Sequence, residues 1–517
     1  MRSAALHVCA CTALALAAAG CIATITGGSD DDGDDSGEGD GDGAGDGGGG
    51  GGGGGGYGEG IVEIAGEVST AACFGSPAGE EVANLIDGVQ ESKFLGFSNS
   101  VWVRFDAGLP YVLDHYAITS ANDYPERDPR SWILSGSNDA TSWTELDVRI
   151  GEVFAGRFER REFTVDTDDF YRFFQLRTEN QQGGVTQLAE LELHGESPFT
   201  GPAEAPPGAP QDLSAAAASR SEIDLSWQDG GGAPASASAL YRIEQSVDGS
   251  SFTAVAYAPA GATGATIGGL APGAERSFRV VAENAAGASP PSATVSARTQ
   301  PPLAGTSNSD GSVRYSQGGY TLTLHNKDAG TPAAMMERMI EEFFATYPTM
   351  AAAYNPGAAS SVRVTFDPAY DGVAYASGSQ IVVSSTWARG SPDDVDVVAH
   401  EGFHVVQAYD NPDAPGWAVE GLADFARARY GNLNTGACWS MQRYQSGQSY
   451  TDAYGVTARF LLWIEANVRA SIATELDDAL RARQYSAAFW TGKTGKTVDA
   501  LWADYAADTA REPVDYR

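Results

Sequence analysis

The chain has 517 residues, with 32 Lys and Arg against 68 Asp and Glu and a formal net charge of −36. This length exceeds one ordinary hydrophobic core and predicts several domains. The acidic balance argues against a nucleic-acid-binding role, which needs clustered cations, and the 42% hydrophobic content excludes a wholly disordered chain.

A short apolar segment follows Arg2 and ends in small residues at positions 18–20, directly before Cys21. It is shorter than the roughly 20 residues that span a bilayer, so a cleaved signal peptide is predicted for residues 1–20. The segment resembles a bacterial lipoprotein signal. That resemblance implies a lipid anchor at Cys21 and a cell-envelope location, at the outer membrane or cell surface, with simple secretion as the alternative.

Residues 21–60 are dominated by Asp and Gly and include an unbroken run of glycines at 47–56. Such a segment cannot bury enough apolar surface to offset the entropy of ordering, so a disordered tether is predicted. Only Cys73 and Cys438 remain downstream, and they lie in different predicted domains. A disulfide framework is therefore not expected.

The next segment, residues 61–197, has the pattern of short strands with alternating apolar and polar side chains. Four stretches resemble the discoidin-like domain of coagulation factor C type: residues 83–88, 102–106, 132–139 and 187–193. The resemblance implies a β-sandwich whose loops bind a glycan or an envelope lipid headgroup. Phe94, Phe97 and Tyr124 are aromatic candidates for contact with such a ligand, but core packing is the favoured interpretation for each one.

Residues 206–299 follow a proline-rich linker and again show strand periodicity. The stretches around Trp227, Tyr241 and Phe278 resemble a fibronectin type III domain, with Trp227 as its core tryptophan. Phe278 stands where that family usually has tyrosine. The resemblance implies a second β-sandwich that acts as a spacer or docking module.

Two of the six histidines of the chain lie four residues apart in the segment 400–404, HEGFH. The preceding Ser391, with a proline and two acids after it, predicts the start of a helix. On that helix His400 and His404 share one face and can bind the same metal ion. Glu401 projects beside them, which suits a general base acting on zinc-activated water.

A catalytic zinc site needs a third protein ligand. A second predicted helix begins near Trp417, behind a Pro-Gly pair, and carries Glu420 and Asp424 four residues apart. Glu420 is predicted as the third ligand, and Asp424 as the acceptor that orients a ligating histidine. The alternatives are the reverse assignment, with Asp424 as the ligand, and an ordinary solvated helix face.

Residues 372–378, 381–385, 400–404, 420–424 and 452–461 match, in this order, the plant basic secretory protein family of zinc peptidases. This resemblance covers about residues 313–508 and implies an α+β zincin-like fold, a bound Zn²⁺ with a gluzincin-like third ligand, and peptide hydrolysis. The predicted catalytic domain spans residues 303–517. Tyr454 is the predicted oxyanion donor and Arg459 the alternative, with packing in the core as an equally open role for Tyr454. Residues 381–385 are predicted to be an edge strand that binds substrate.

The sequence thus predicts two all-β sandwiches followed by an α+β metallopeptidase domain, behind a disordered acidic tether. The predicted function is that of a surface-tethered zinc metallopeptidase that acts on peptides or proteins, targeted by the discoidin-like module. Two alternatives stay open. One is an adhesion or carbohydrate-binding lipoprotein with an inactive zincin domain, and the other is hydrolysis of a non-peptide amide.

Overall fold

The computed structural model describes residues 60–71, 74–98, 100–180, 184–199, 205–231, 240–431, 439, 441 and 444–508. The predicted signal peptide, nearly all of the tether, Cys73 and Cys438 lie outside these residues. The described chain forms two β-sandwiches followed by an α+β domain, which confirms the predicted fold class. No helix within the described ranges has the length and apolar character to cross a bilayer.

The first sandwich is organised around one long strand. Its strands are β1 Val62–Glu63, β2 Glu67–Thr70, β3 Phe94–Gly96, β4 Ser100–Thr119, β5 Pro129–Ser137, β6 Thr144–Arg149, β7 Arg160–Thr164, β8 Phe170–Asn180, β9 Thr186–Leu188 and β10 Glu190–Glu196. The first half of β4 pairs with β2 and β8, and its second half pairs with β7 and β10. One strand therefore joins both layers of the sandwich.

The core of this sandwich contains a hydrogen-bonded pair of aromatic side chains. Trp132 is fully buried, and its indole Nε1 donates a hydrogen bond of 2.6 Å to the Tyr116 hydroxyl. Phe94 is also fully buried, which confirms the favoured interpretation that its ring belongs to the core and excludes it as a ligand contact. Phe97 and Tyr124 are exposed.

The second sandwich follows the alternation seen in the sequence. Its strands are β11 Gln211–Ala217, β12 Ile223–Gln228, β13 Leu240–Ser246, β14 Thr253–Pro259, β15 Gly264–Ile267, β16 Glu275–Asn284, β17 Gly287–Ala288 and β18 Val295–Arg298. They form a three-stranded and a five-stranded sheet. Trp227 of β12 and Phe278 of β16 are buried between the sheets, because every second side chain of those strands points inward.

The α+β domain has one mixed sheet and a set of helices. Its strands are β19 Thr306–Ser307, β20 Val313–Gln317, β21 Tyr320–Asn326, β22 Ser361–Asp367, β23 Ala374–Ser377 and β24 Gln380–Ser384. Its helices are α1 Ala333–Tyr354, α2 Ser385–Gly390, α3 Val397–Gln407, α4 Gly416–Tyr430, α5 Tyr454–Asn467, α6 Ile472–Arg481, α7 Ala488–Thr494 and α8 Val498–Ala507. The sheet order is β19-β20-β21-β22-β24-β23.

The position of the edge strand differs from the prediction. Strand β24, which contains most of residues 381–385, pairs with β22 on one side and with β23 on the other, so it is internal. The edge is β23, which lies beside α3 and is antiparallel to β24. The sequence could not distinguish the two strands because both are short and apolar, and only their order in the sheet decides which has unpaired backbone groups.

The start of the histidine helix also differs from the prediction. Ser391 does not cap it: Ser391 follows the last residue of α2, and α3 begins six residues later, at Val397. Two acids between Ser391 and α3, Asp394 and Asp396, both form ion pairs with Arg427 of α4. The structure uses these acids to hold two helices together instead of using them in a first helical turn.

Candidate metal centre

Helices α3 and α4 bring three potential ligands together. The Nε2 atoms of His400 and His404 are 3.2 Å apart, and each lies 3.4 Å from Oε2 of Glu420. Tetrahedral zinc with bonds of about 2.0–2.1 Å separates its ligand atoms by about 3.3 Å. The three atoms thus have the spacing that one zinc ion requires. Among the described residues, they form the group of His, Cys, Asp or Glu side chains that lie close enough together to bind one metal ion.

Each histidine is held by a different partner on its other ring nitrogen. His400 Nδ1 lies 2.7 Å from Oδ1 of Asp424, and His404 Nδ1 lies 2.7 Å from Oε1 of Gln407. The Gln407 amide also donates a hydrogen bond of 2.9 Å to the Val419 carbonyl of α4. These contacts fix both rings with Nε2 toward the shared point, as metal-binding histidines require.

Sequence reasoning placed Asp424 beside a histidine but missed Gln407. Gln407 is three residues after His404 and therefore one turn away on the same face of α3, which is a signal that the sequence contains. Its bond to α4 is not readable from the sequence, since it depends on how closely the two helices pack.

The pKa values of His400 and Glu420 are shifted in opposite directions by their neighbours. Burial opposes protonation of His400, but the Asp424 carboxylate outweighs it and raises the pKa of His400 to about 10. Burial raises the pKa of Glu420, but hydrogen bonds from His400 and His404 prevail and hold this pKa well below its usual value. Glu420 is therefore ionised at neutral pH and ready to bind a cation.

Glu401 occupies a buried position beside the triad. Burial raises the pKa of its carboxyl group, and the nearby His400 and His404 oppose this rise. Its Oε2 atom is buried and has no hydrogen-bond partner among the residues that the structure describes. An unpaired buried carboxylate oxygen is costly, so a polar group beside it, such as a water molecule, is expected.

Tyr454 begins α5 and faces the same site. Its ring stacks on the His400 ring, with centroids 6.3 Å apart and 15° between the planes. The side chain is 55% exposed, which excludes the alternative that it packs in the core. Burial of its hydroxyl, followed by the charges of Glu420 and Asp424, raises the pKa of Tyr454 to about 12, so the phenol keeps its proton at neutral pH.

Arg459 does not lie at the metal centre, so the alternative that it is the oxyanion donor is wrong. It is buried, and its guanidinium pairs with Glu179 of the first sandwich. The sequence could not show this, because the partner is 280 residues away.

Tyr370 is a further aromatic residue near the site that sequence reasoning missed. Its pKa is raised first by burial and next by the charge of Glu401. Its ring contacts that of Tyr375 on the edge strand β23, with centroids 5.0 Å apart. Tyr370 is therefore within range of the Glu401 charge and contacts the strand beside α3.

The helix pair that carries the ligands is held by a buried ion pair. Arg427 of α4 donates to Asp396 through Nε, at 2.9 Å, and to Asp394 through Nη2. The guanidinium also lies over the Trp439 ring, 4.2 Å from its centroid. The ion pairs of Arg427 with Asp394 and Asp396 connect the residues that precede α3 to the last turns of α4.

The packing of α4 against α5 depends on Gly421, the neighbour of Glu420. A Cβ atom at Gly421 would lie 2.3 Å from Cγ2 of Thr457, so the helices cannot keep their distance with a larger residue. We expect Gly421→Ala to destabilise the fold by about 1–3 kcal/mol and to weaken metal binding, because α4 must shift. Thermal unfolding and metal titration measure both effects.

Gly416→Ala is the matched control, since Gly416 lies on the same helix and nothing surrounds its Cβ position within 4 Å. Equal effects of the two substitutions would contradict the explanation by close packing.

Comparison with known proteins gives the family of the C-terminal domain. Residues 308–505 match the model of the BSP family, described as peptidase of plants and bacteria, and residues 208–298 match the fibronectin type III domain. The resemblance of the C-terminal domain to the basic secretory protein family is confirmed. The BSP match ends before Asp508 and begins before β20, so it includes the whole metal centre.

One curated relative is a peptide-N(4)-(N-acetyl-β-glucosaminyl)asparagine amidase from Arabidopsis thaliana, 36% identical over 140 residues. The match covers 24% of this chain, and the chain spans only 19% of the length of that relative.

Similar solved structures include carbohydrate-binding modules. One is the family 32 module of NanJ from Clostridium perfringens in complex with galactose, with 12% identity, 26% of this chain and 98% of that chain covered, and a TM-score of 0.22. Another is the family 62 module of Xyl5A from Clostridium thermocellum, with 21% identity, 26% and 97% coverage, and a TM-score of 0.23.

Proposed function

We propose that this chain is a zinc-dependent metallopeptidase. The observation that carries the proposal is the triangle of His400, His404 and Glu420 with ligand atoms 3.2–3.4 Å apart, next to the buried carboxyl of Glu401. The family match of residues 308–505 to peptidases supports it. Two imidazoles and one carboxylate are a donor set that suits catalytic zinc.

Zinc, when bound by these three residues, supplies Lewis acidity that polarises a carbonyl and makes a water molecule more acidic. Glu401 accepts the proton of the water that attacks the scissile carbonyl carbon and passes it to the leaving amine as the C–N bond breaks. Burial raises the pKa of Glu401, which makes its carboxylate a stronger proton acceptor than an exposed one.

Tyr454 supplies the hydrogen bond for the developing oxyanion. Its phenol is protonated at neutral pH, and its ring lies against His400 at the open side of the site. Asp424 and Gln407 keep the two imidazoles oriented, while the edge of β23 offers backbone groups with which an extended peptide can pair.

The first sandwich and the N-terminal segment bear on where such a peptidase acts. The exposed rings of Phe97 and Tyr124 on the first sandwich suit a glycan or envelope ligand. A lipid anchor at Cys21 and a cell-surface location complete the proposal, and labelling with radioactive palmitate tests the anchor. The relative named as an amidase favours a second candidate, hydrolysis of a side-chain amide in a glycosylated peptide.

The test uses the full chain after metal removal and after reconstitution with zinc. We expect the zinc form to cleave members of a random peptide library and the metal-free form to cleave none. A peptide with one N-glycosylated asparagine, analysed by mass spectrometry, distinguishes backbone cleavage from release of the glycan. A zinc-loaded chain that cleaves neither substrate would contradict both enzymatic candidates and favour the inactive adhesion protein.

A further inference from the structure

The first sandwich and the catalytic domain share a buried ion pair. Arg459 of α5 donates to Glu179 of β8 through both terminal nitrogens, with Nη2–Oε1 of 2.7 Å and Nη1–Oε2 of 3.2 Å. Both side chains are only 2% exposed. Arg459 Nη2 also donates to the Met441 carbonyl at 2.7 Å, which joins the pair to the segment before α5.

This geometry makes the two domains dependent on each other. A two-pronged bond between a guanidinium and a carboxylate fixes both distance and orientation. Removing one partner of a buried pair leaves the other charge without compensation, which is far more costly than losing an exposed pair. Without the Glu179 carboxylate, Arg459 loses its two-pronged acceptor, so α5 and β8 are no longer held at a fixed distance and orientation.

Helix α5 leads directly to the metal centre. It begins with Tyr454, which stacks on His400, and Arg459 follows little more than one turn later. Between them, Thr457 fills the space above Gly421, the neighbour of the ligand Glu420. A displacement of α5 is thus transmitted to the Tyr454 hydroxyl and to the helix that carries Glu420.

Other contacts close the three domains into a ring. Arg172 of the first sandwich donates to the Ala254 carbonyl of the second at 2.9 Å. Arg220 of the second sandwich pairs with Glu341 of α1 at 3.1 Å, where the side chains are 20% and 23% exposed. Among these described contacts, Glu179–Arg459 is the buried one that acts directly on an element of the active site.

We propose that Glu179 is a positioning residue of the metal centre: the first sandwich holds α5 through Arg459, so that Tyr454 and Glu420 keep their working positions. The sandwich is then a structural part of the catalytic unit as well as a targeting module. The effect on catalysis rests on the proposed peptidase function, whereas the effect on zinc affinity does not.

The test compares Glu179→Gln with wild type in the full chain, because glutamine keeps the shape and removes the charge. We expect a roughly 10-fold loss of zinc affinity, measured by competition with a chromogenic chelator, and a fall in kcat of on the order of 10–100-fold, with KM for short peptides little changed. The double variant Glu179→Leu with Arg459→Met removes both charges, and we expect it to regain most of the zinc affinity.

Arg220→Gln is the matched control, since it breaks a partly buried interdomain pair that does not involve α5, and its zinc affinity should stay within about 2-fold of wild type. Wild-type zinc affinity in Glu179→Gln would overturn the proposal, even if the melting temperature falls, because the pair would then serve stability alone. A double variant no better than the single one would overturn it as well. If the wild-type chain hydrolyses nothing but Glu179→Gln still loses zinc affinity, the peptidase proposal fails and the positioning role stands.

Discussion

Replacing Glu401 by glutamine is expected to reduce hydrolysis by zinc-loaded protein by about 10²–10⁴-fold while the zinc content stays at the wild-type level. Glutamine has the same shape as glutamate but cannot accept the proton of the attacking water. Glu401 is not one of the three residues of the ligand triangle, so its replacement removes no metal-binding atom and should not release the zinc. The measurements are kcat on a cleaved library peptide and zinc per chain after gel filtration.

Glu337→Gln is the control for this experiment. It makes the same chemical change at an exposed position of α1 that is not part of the ligand triangle, and it should leave kcat unaltered. If Glu401→Gln kept more than about a tenth of the wild-type kcat, the general base would have to be another group. If it lost zinc, Glu401 would be a ligand, and the triangle would be assigned wrongly.

The second large effect concerns the choice between the two carboxylates of α4. Glu420→Ala removes one of three ligand atoms, so we expect zinc affinity to fall by more than the about 10–100-fold that is typical of losing a partner of a ligand. Asp424→Asn should stay within that smaller range, because the substituted amide still contacts His400 but carries no charge. Competition with a chromogenic chelator measures both affinities on one scale.

A larger loss of zinc affinity in Asp424→Asn than in Glu420→Ala would identify Asp424 as the ligand and contradict the geometry around Glu420. Equal and small losses would mean that neither carboxylate holds the metal. Thermal unfolding of the metal-free variants separates loss of zinc from loss of fold, since Asp424 is buried and its replacement also affects the packing of α3 on α4.

Much of the site was readable because its spacing is local. Two histidines four residues apart on a helix share a face whatever the rest of the chain does, and the same holds for Glu420 and Asp424. The start of α4 was predicted for a similar reason, since Pro415 and Gly416 mark a break in the chain, and the helix begins at Gly416 directly after Pro415. Alternation of apolar side chains likewise predicted the strands of both sandwiches.

The errors share a different cause, which is that a residue's partner lies far away in the chain. Ser391 has every local feature of a helix cap, yet the acids beside it pair with Arg427 and the helix begins later. Residues 381–385 have the composition of any short strand, and only the order of the sheet makes β24 internal.

The amino-acid sequence by itself determined which side chains can meet on one helix face, and hence the pair of imidazoles, the neighbouring base and the two spaced acids. Local backbone geometry is sufficient for this, because an α-helix repeats about every 3.6 residues. Tertiary structure alone decided that the two helices approach to 3.4 Å between candidate ligand atoms, that Gln407 orients His404, and that Arg459 binds a sandwich residue 280 positions upstream. Those contacts depend on packing between distant segments, which no local periodicity encodes.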